Sequence, residues 1–439
     1  MRNEKLGMRN EKLEMRKEKL GMRNDDYSQG GKEGLQGNQH SSFLIPHFSL
    51  KIVILLAGLL LGSEAPAQVA RLTVTNPTDK QRQEVVEADL EAIRRLLGTD
   101  AGQPLRVTNA LGQETTWQKS HEGRLLLFVT LQPNSRVEYL VSKGTPATRK
   151  SLVCGRIYPE RLDDLTWEND RGIYRFYGPA LQRTGERSFG TDVWVKNTPE
   201  PMAEQRYRQH IDGWRQGEEL RRAGKKEEGD SLFREASFHL DHGQGMDAYS
   251  VGPTLGCGAP ALMKDGQLVF PYCFQECKIL DNGPLRFTAE LTYGTTAEGT
   301  TEHRLVSLDK GAHYNKMTVW YDGIRQPSAL AVGVVLHGAD EPTVTTSYVL
   351  YADPTDNPKV HQSLIFVGTL FPNGVDEAIE LSSKPSHAVG IVSNYRGEPY
   401  TYYFGSAWSL YDVPTMAHWR LLAEEKLQAI KTPLKVEVK

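Results

Sequence analysis

A strictly alternating segment, residues 285–293, constrains the fold of this chain more than any other stretch. Its apolar side chains are Leu285, Phe287, Ala289, Leu291 and Tyr293, and its polar ones are Arg286, Thr288, Glu290 and Thr292. Successive side chains of a strand point to opposite faces, so the pattern predicts one buried and one wet face. Comparable runs at residues 303–308 and 313–321 flank a turn at 309–311. Many such strands predict a mainly β protein with a large antiparallel β-sandwich.

The sequence after residue 67 predicts two β domains and one helical insertion. Short apolar runs in residues 68–144 predict a small N-terminal β domain, and residues 145–439 form the predicted large sandwich. A change of composition at about 199–236 predicts a helical insertion in this sandwich. There, Tyr207, Ile211 and Trp214 share one helical face by their spacing.

The first 67 residues have the features of an extension and a leader rather than of a fold. Residues 1–50 begin with a repeat of Met-Arg-Asn-Glu-Lys-Leu-Gly, which predicts a low-complexity, disordered extension, translated from a wrongly chosen start. Lys51, the apolar run after it and an Ala-x-Ala site at residues 65–67 predict a signal peptide at 51–67, with an uncleaved anchor as the alternative. We therefore expect a periplasmic or extracellular protein without a stable membrane span after signal cleavage.

Composition and missing motifs narrow the functional classes. The chain has 52 Lys+Arg against 55 Asp+Glu, so it lacks the basic excess of nucleic-acid-binding proteins. It also lacks a glycine-rich phosphate loop, a G-x-S-x-G elbow and an H-E-x-x-H motif, and we expect no cofactor. Cys154, Cys257, Cys273 and Cys277 could be bridged after export or remain free thiols.

The segment 237–260 is dense in both reactive side chains and glycine. It contains His239, Asp241, His242, Asp247 and Tyr249, and its glycines allow a backbone to approach a ligand closely. We expect a functional loop in which His242, Asp247 and Tyr249 are catalytic, with His242 acting as a general base held by a carboxylate. The alternatives are a polar surface connection and a metal site at His239, His242 and Asp247, although we expect no metal.

The segment 161–177 supplies the predicted substrate-binding residues. In a strand, Arg175 and Tyr177 share one face, opposite Tyr174 and Phe176, whose rings should turn to the core. A guanidinium beside a phenol suits a carboxylate-bearing or sugar ligand. The alternative is a surface strand in which Arg175 pairs with Glu168 or Asp170. The predicted binding residues are Arg175, Tyr177, Glu168, Asp170 and Trp167, with Trp167 as the wall of the pocket.

Several motifs together resemble one family of exported proteins. They are Pro-Glu-Arg-x-Asp-Asp-x-x-Trp-Glu-Asn-Asp at 159–170, Arg-x-Tyr-Gly-Pro-Ala at 175–180, His-Gly-x-Gly-Met-Asp-x-Tyr-Ser-Val-Gly-Pro-Thr-Leu-Gly-Cys-Gly at 242–258, Val-Phe-Pro-Tyr-Cys at 269–273 and Ile-Leu-Asp-Asn-Gly-Pro-Leu-Arg-Phe at 279–287. The chain resembles domain-of-unknown-function family 4861, exported proteins of saccharide-degrading bacteria. That family is similar to the galactose-mutarotase-like sandwiches, which include epimerases and polysaccharide lyases.

The resemblance implies a carbohydrate-active protein. We expect an enzyme acting on uronic-acid-containing oligosaccharides by elimination, hydrolysis or epimerisation. In this hypothesis Arg175 binds the sugar carboxylate, while His242 and Tyr249 move protons. The alternatives are a non-catalytic saccharide-binding module, with Trp167, Trp320 and Tyr402 as stacking platforms, and a structural envelope protein.

Overall fold

The computed structural model describes residues 68–338 and 340–439. The predicted extension and signal peptide, residues 1–67, lie outside the described residues. No helix in the described part of the chain combines the length and the apolarity needed to cross a membrane. Cys154, Cys257, Cys273 and Cys277 are all free thiols.

The first described elements form two small sheets around one core. They are β1 (Val69–Thr75), β2 (Arg82–Asp89), α1 (Leu90–Leu97), β3 (Leu105–Asn109), β4 (Glu114–Thr115), β5 (Trp117–Lys119), β6 (Arg124–Leu131) and β7 (Arg136–Lys143). Asp89 caps α1 by accepting a hydrogen bond from the amide of Ala92. Gly98 ends the helix at φ +54°, a left-handed conformation that glycine adopts without steric cost. The apolar stripe of α1 therefore packs on the core side chains of β1, β6 and β7.

The next elements combine a sheet with helices. They are β8 (Cys154–Tyr158), β9 (Asp164–Glu168), β10 (Gly172–Phe176), α2 (Pro179–Arg183), β11 (Asp192–Lys196), α3 (Ala203–Arg222), α4 (Lys226–Ala236) and β12 (Gly245–Met246). The insertion predicted at about 199–236 is thus a pair of helices. Gly213 allows them to approach, because a Cβ there would lie 2.1 Å from the Cβ of Ala236.

The remaining elements are almost all strands. They are β13 (Cys257–Lys264), β14 (Gln267–Val269), β15 (Phe274–Asn282), β16 (Arg286–Tyr293), β17 (Thr301–Asp309), β18 (Tyr314–Asp322), β19 (Ser328–Val335), β20 (Thr343–Val344), β21 (Tyr348–Pro354), β22 (Leu364–Leu370), β23 (Glu377–Leu381), β24 (His387–Tyr395), β25 (Tyr400–Trp408), α5 (Met416–Lys431) and β26 (Lys435–Val438). The alternating segment at 285–293 is β16, and the expected hairpin is β17–β18.

The named strands pair into five antiparallel sheets in the described chain. Their orders are β26-β1-β7-β3-β4, β2-β6-β5, β12-β11-β10-β9-β8, β14-β13-β19-β24-β23 and β15-β16-β17-β18-β25-β22-β21-β20. One apolar core joins the inner faces of the last three sheets, so the eight-stranded sheet packs against two five-stranded ones. Helix α5 covers part of the opposite face of the eight-stranded sheet, where Trp419 stacks on Tyr314 at 4.7 Å. The prediction of a mainly β, sandwich-type fold is confirmed.

The last strand returns to the beginning of the described chain. β26 pairs with β1 in antiparallel register, with Leu72 opposite Val438 and Thr75 opposite Lys435. Residues at the beginning and at the end of the described residues, 68–338 and 340–439, therefore belong to the same small sheet. The boundary at residue 144 between two domains remains a prediction from the sequence.

Candidate functional site

The outer face of the sheet β12-β11-β10-β9-β8 carries most of its buried charge. On β10, Tyr174 and Phe176 turn into the core of the sandwich, as the alternation predicts, and Arg175 points to the opposite face. The strand register places Arg175 directly across from Asp192 on β11. Helix α3 and the loop after α4 cover this face, with Phe238 stacked on Trp194 at 4.8 Å. The charged side chains are therefore shielded from water.

Arg175 lies at the centre of a group that we call the Arg175 cluster: Arg175, Asp164, Asp192, Asp247 and Tyr177. The guanidinium donates to Asp192 and, at 3.0 Å, to Oδ2 of Asp247, and its Nε lies 3.9 Å from Oδ2 of Asp164. Tyr177 donates its hydroxyl to Oδ2 of Asp192 at 3.3 Å. All five residues are buried. The structure thus brings Arg175, Tyr177 and Asp247 together, and adds Asp164 and Asp192 to them.

Three aspartate side chains surround one guanidinium in this cluster, so acidic groups outnumber basic ones. Burial raises the pKa of the Asp192 carboxyl to about 7, against the opposing effect of Arg175, and Asp247 adds to the rise. A carboxyl with such a pKa can hold a proton near neutral pH. Arg175 is paired with protein carboxylates, as in the structural alternative, but its partners are Asp192 and Asp247 and not the expected Glu168 or Asp170.

Glu168, Asp170 and Trp167 have partners away from Arg175. Glu168 accepts from Lys196 Nζ at 2.8 Å and from the first amides at the start of α3, so it anchors that helix. Asp170 accepts from the amide of Gly311 at 2.7 Å. Trp167 is fully buried, and its indole N–H donates to Asn315. These contacts bind elements of the fold to one another.

The loop between α4 and β13 folds over the Arg175 cluster through Asp247 rather than through His242. His242 Nε2 lies 2.9 Å from the carbonyl oxygen of Ser237. His239 is the histidine that meets Asp247, with Nδ1 at 3.0 Å from its carbonyl oxygen and 3.6 Å from Oδ2. Asp241 accepts from the amides of Gly243 and Gly245 and so shapes the loop.

Tyr249 connects this loop to a histidine–aspartate pair. His337 Nδ1 lies 2.7 Å from Oδ2 of Asp353, and the ring of Tyr249 meets the ring of His337 edge-on at 5.6 Å. The Asp353 side chain is 1% exposed, while that of His337 is 22% exposed. Among the described residues, the hydroxyl of Tyr249 and Oδ1 of Asp353 have no hydrogen-bond partner. We call Tyr249, His337 and Asp353 the His337 triad.

The triad has the groups that proton transfer requires. Because Asp353 engages Nδ1 of His337, Nε2 is the ring nitrogen left to exchange a proton with a ligand. Burial raises the pKa of Tyr249 well above its usual value, and the charges of Asp353 and then Asp192 among other groups add to the rise. Tyr249 therefore holds its proton at neutral pH. Its response to Asp192 also links the triad electrostatically to the Arg175 cluster.

Sequence reasoning singled out Tyr249 but not its partners. His337 follows β19 and Asp353 lies near the end of β21, and these strands belong to different sheets, so only the packing of one sheet on the other brings the two residues together. A lone histidine near a strand is more often structural than catalytic, and no local spacing distinguishes His337 from His303 or His313. The sequence did contain one signal for this pair. Asp353 lies in an alternating strand at a position that should face the core, where an aspartate is unusual.

The aromatic platforms expected for a binding module are mostly buried. Trp167 and Tyr402 have no exposed surface. Trp320 is half-buried on the outer face of the eight-stranded sheet, stacked on His303 at 5.1 Å with the ring planes 8° apart. Asp322 holds His303 through Nε2 at 3.0 Å. No group of three His, Cys, Asp or Glu side chains within the described ranges has the arrangement of a metal site.

Two solved structures are among those that match this chain. A protein in glycosyl hydrolase family 38 from Enterococcus faecalis matches 85% of this chain at 10% identity with a TM-score of 0.49. An alpha-mannosidase from Enterococcus faecalis matches the same share at 10% identity with a TM-score of 0.46. The matches cover 48% and 46% of those proteins, so the chain spans about half of their length.

One relative found by sequence is matched over most of its own length. The uncharacterized protein P7 of Formosa agariphila is 28% identical over 334 residues, which are 72% of this chain and 78% of that protein. Residues 74–436 match the family described as "Domain of unknown function (DUF4861)". This match spans most of the chain and confirms the resemblance seen in its motifs, and the chain therefore belongs to the DUF4861 family.

Proposed function

We propose that this protein is an exported carbohydrate-active enzyme that removes and returns protons on uronic-acid-containing oligosaccharides. The observation that carries the proposal is the His337 triad: a histidine held by a buried carboxylate, beside a tyrosine hydroxyl that has no hydrogen-bond partner in the described chain. Such a pair suits elimination or epimerisation, because both reactions begin with loss of a proton from carbon next to a carboxyl group.

His337 is the base in this proposal. Hydrogen bonding to Asp353 fixes the ring and stabilises the imidazolium that forms when Nε2 takes a proton. The ring is the most accessible part of the triad, so it can reach a sugar at the surface. Asp353 acts through His337 and is a positioning residue.

Tyr249 is the acid. Its raised pKa keeps the phenol protonated, so it can give a proton to a leaving glycosidic oxygen as the C–O bond breaks and the C=C bond forms. In epimerisation His337 would keep the proton taken from carbon, and Tyr249 would give its own proton to that carbon from the opposite face. The Arg175 cluster contributes through the charge of Asp192, which helps to raise the pKa of Tyr249 and so to keep it protonated.

The proposal also includes uronic-acid substrates and export, and a separate argument supports each of them. Abstraction of a carbon-bound proton by a histidine needs an acidified C–H, which a sugar carboxyl group provides. The predicted signal peptide supports export. Since Arg175 is occupied by Asp192 and Asp247, the substrate carboxyl would be met by other donors in this proposal.

The test is turnover of pectic, algal and glycosaminoglycan oligosaccharides in deuterated water. Elimination yields an unsaturated product that absorbs in the ultraviolet, epimerisation incorporates deuterium at carbon, and hydrolysis does neither. His337→Ala and Tyr249→Phe should each lower the rate by about 10²–10⁴-fold. Folded wild-type protein that neither eliminates nor exchanges on any substrate would refute the proposal.

A matched pair of histidine variants tests the assignment of the base. His242→Ala should keep most of the activity, since its Nε2 is held by the carbonyl of Ser237. His313→Ala serves as the control for a histidine paired with an aspartate, Asp412, outside the triad. A greater loss in His242→Ala than in His337→Ala would return the catalytic role to the loop histidine.

Saccharide binding without catalysis is the second candidate, carried by the Trp320–His303 stack. A flat, half-exposed aromatic surface can pack on one face of a sugar ring. Calorimetry that detects oligosaccharide binding in the absence of any product, and loses it in Trp320→Ala, would favour this function.

A further inference from the structure

Three aromatic side chains and one arginine form a surface patch that the proposed catalysis does not use. The ring of Phe189 lies 5.2 Å from the ring of Phe270 and 5.0 Å from the ring of Tyr272. The guanidinium of Arg187 lies 5.6 Å from the centre of the same Phe189 ring. We call Arg187, Phe189, Phe270 and Tyr272 the Phe189 platform. Two of its rings come from the motif at 269–273, to which the catalysis gives no role.

The platform has a buried centre and an exposed rim. Phe189 is 6% exposed, whereas Tyr272 is 42% exposed. An aromatic ring that a neighbouring ring holds in place, and that water can still reach, can pack on the apolar face of a sugar. Tyr272 also has φ +64°, a left-handed conformation that is costly for a residue with a side chain. Strain of this kind persists only where the surrounding structure imposes it, and it is frequent at ligand-binding sites.

Arg187 gives the platform a positive charge. It is exposed, and among the described residues it has no carboxylate partner. Glu186, its neighbour in sequence, accepts a hydrogen bond from the hydroxyl of Ser188 at 3.4 Å. Because a guanidinium can bind a carboxylate through two parallel hydrogen bonds, this charge favours an anionic ligand. Arg187 and Tyr272 both contact Phe189, so one sugar, or two linked sugars, can meet the guanidinium and the phenol together.

The platform adjoins the loop that carries Tyr249. The amide of Phe189 donates to the carbonyl oxygen of Gly252 at 3.1 Å. On the other side of the platform, the thiol of Cys273 donates to the carbonyl oxygen of Ser188 at 3.7 Å. Three residues of chain, at most about 11 Å when extended, separate Gly252 from Tyr249. An oligosaccharide of a few rings is therefore long enough to contact both the platform and the His337 triad.

We propose that the Phe189 platform is a subsite for a further uronic-acid residue of the substrate chain, beyond the one at the His337 triad. Tyr272 packs on the apolar face of this sugar, and Arg187 binds its carboxylate. The class of ligand rests on the proposed function, but binding at the platform does not require turnover. Contacts of this kind hold the substrate at a distance from the reacting bond.

Calorimetry tests the subsite in the His337→Ala background, in which the ligand is not consumed. The probes are short oligosaccharides of pectate, alginate and hyaluronan, and their carboxyl-reduced forms are the neutral controls. At least one uronic-acid oligosaccharide should bind, and more tightly than its reduced form. Arg187→Ala should weaken this binding by about tenfold or more and bring the two forms closer together, because hydrogen bonds to charged groups are the stronger ones. Equal weakening of both forms would refute the carboxylate contact.

Tyr272→Gly and Arg183→Ala complete the set of variants. Glycine adopts φ +64° without strain, so Tyr272→Gly removes the ring and keeps the backbone. It should weaken both forms of the ligand by about twofold to tenfold. Arg183→Ala is the matched control and should bind normally, because this exposed arginine already pairs with Asp163. Full affinity in both Arg187→Ala and Tyr272→Gly, or no binding of any uronic-acid oligosaccharide, would overturn the proposal.

The results also separate this subsite from the proposed catalysis. Turnover by the wild-type protein, together with unchanged binding in the platform variants, would refute the subsite and leave the catalysis standing. Binding that depends on Arg187, without turnover of any oligosaccharide, would support the subsite and refute the catalysis.

Discussion

Replacing Asp192 with asparagine should change how the stability of the protein depends on pH. The Asp192 carboxyl is fully buried, and burial raises its pKa from the ordinary 3.8 to about 7. At about 1.4 kcal/mol per unit of pKa, this rise corresponds to about 4 kcal/mol. Because the folded pKa lies above the unfolded one, the native state holds the extra proton between about pH 4 and pH 7. Asp192 thus contributes less to stability as the pH rises through this range.

An amide side chain at this position cannot titrate, so the Asp192→Asn variant lacks this part of the pH dependence. The difference in free energy of unfolding, wild type minus Asp192→Asn, should fall by about 4 kcal/mol from pH 4 to pH 8 and level off above pH 7. Urea unfolding at intervals of pH, followed by tryptophan fluorescence, measures it. Asp170→Asn is the control, because that carboxyl lies outside the Arg175 cluster and accepts one backbone hydrogen bond. A constant difference across the range would refute the reasoning.

Two other substitutions test the structure around the site. Lys196→Met should lower the free energy of unfolding by about 3–5 kcal/mol, since it leaves the buried carboxylate of Glu168 without its ammonium partner. In urea unfolding, the double variant with Glu168→Gln should lose less of this free energy than Lys196→Met alone. Gly258→Ala should destabilise by about 2–3 kcal/mol more than Gly266→Ala. Both glycines have positive φ, but only the Cβ at 258 would meet Phe404, at 2.2 Å, and equal melting temperatures for the two variants would contradict the packing described here.

Strand patterning predicted the fold better than it predicted the site. The alternation of residues 285–293 and of Tyr174, Arg175 and Phe176 reports burial directly, because each side chain has only two faces to choose from. The stripe that α3 buries was harder to predict. It includes Arg206, His210 and Gly213 rather than the predicted Ile211 and Trp214, because polar and glycine positions carry no hydrophobic period.

The candidate site was predicted only where its residues are local in sequence. Arg175 and Tyr177 share a strand face, and Asp247 and Tyr249 share a loop, so spacing alone associated them. Asp192 meets Arg175 through strand register, and Asp353 meets His337 through the packing of two sheets. No composition or periodicity contains that information, because it belongs to the topology of the sheets.

Because β1 pairs with β26, the small sheet cannot be completed before residues 435–438 have been synthesised. During synthesis, β1 leaves the ribosome more than 350 residues before Lys435–Val438, its neighbour in the finished sheet. At about 5–20 residues per second, that edge of β1 waits on the order of a minute or less with its backbone groups unpaired. Over that interval the nascent edge is open to other strands, including those of a neighbouring nascent chain. Exchange of β26 between two chains would then be the characteristic misassembly of this fold.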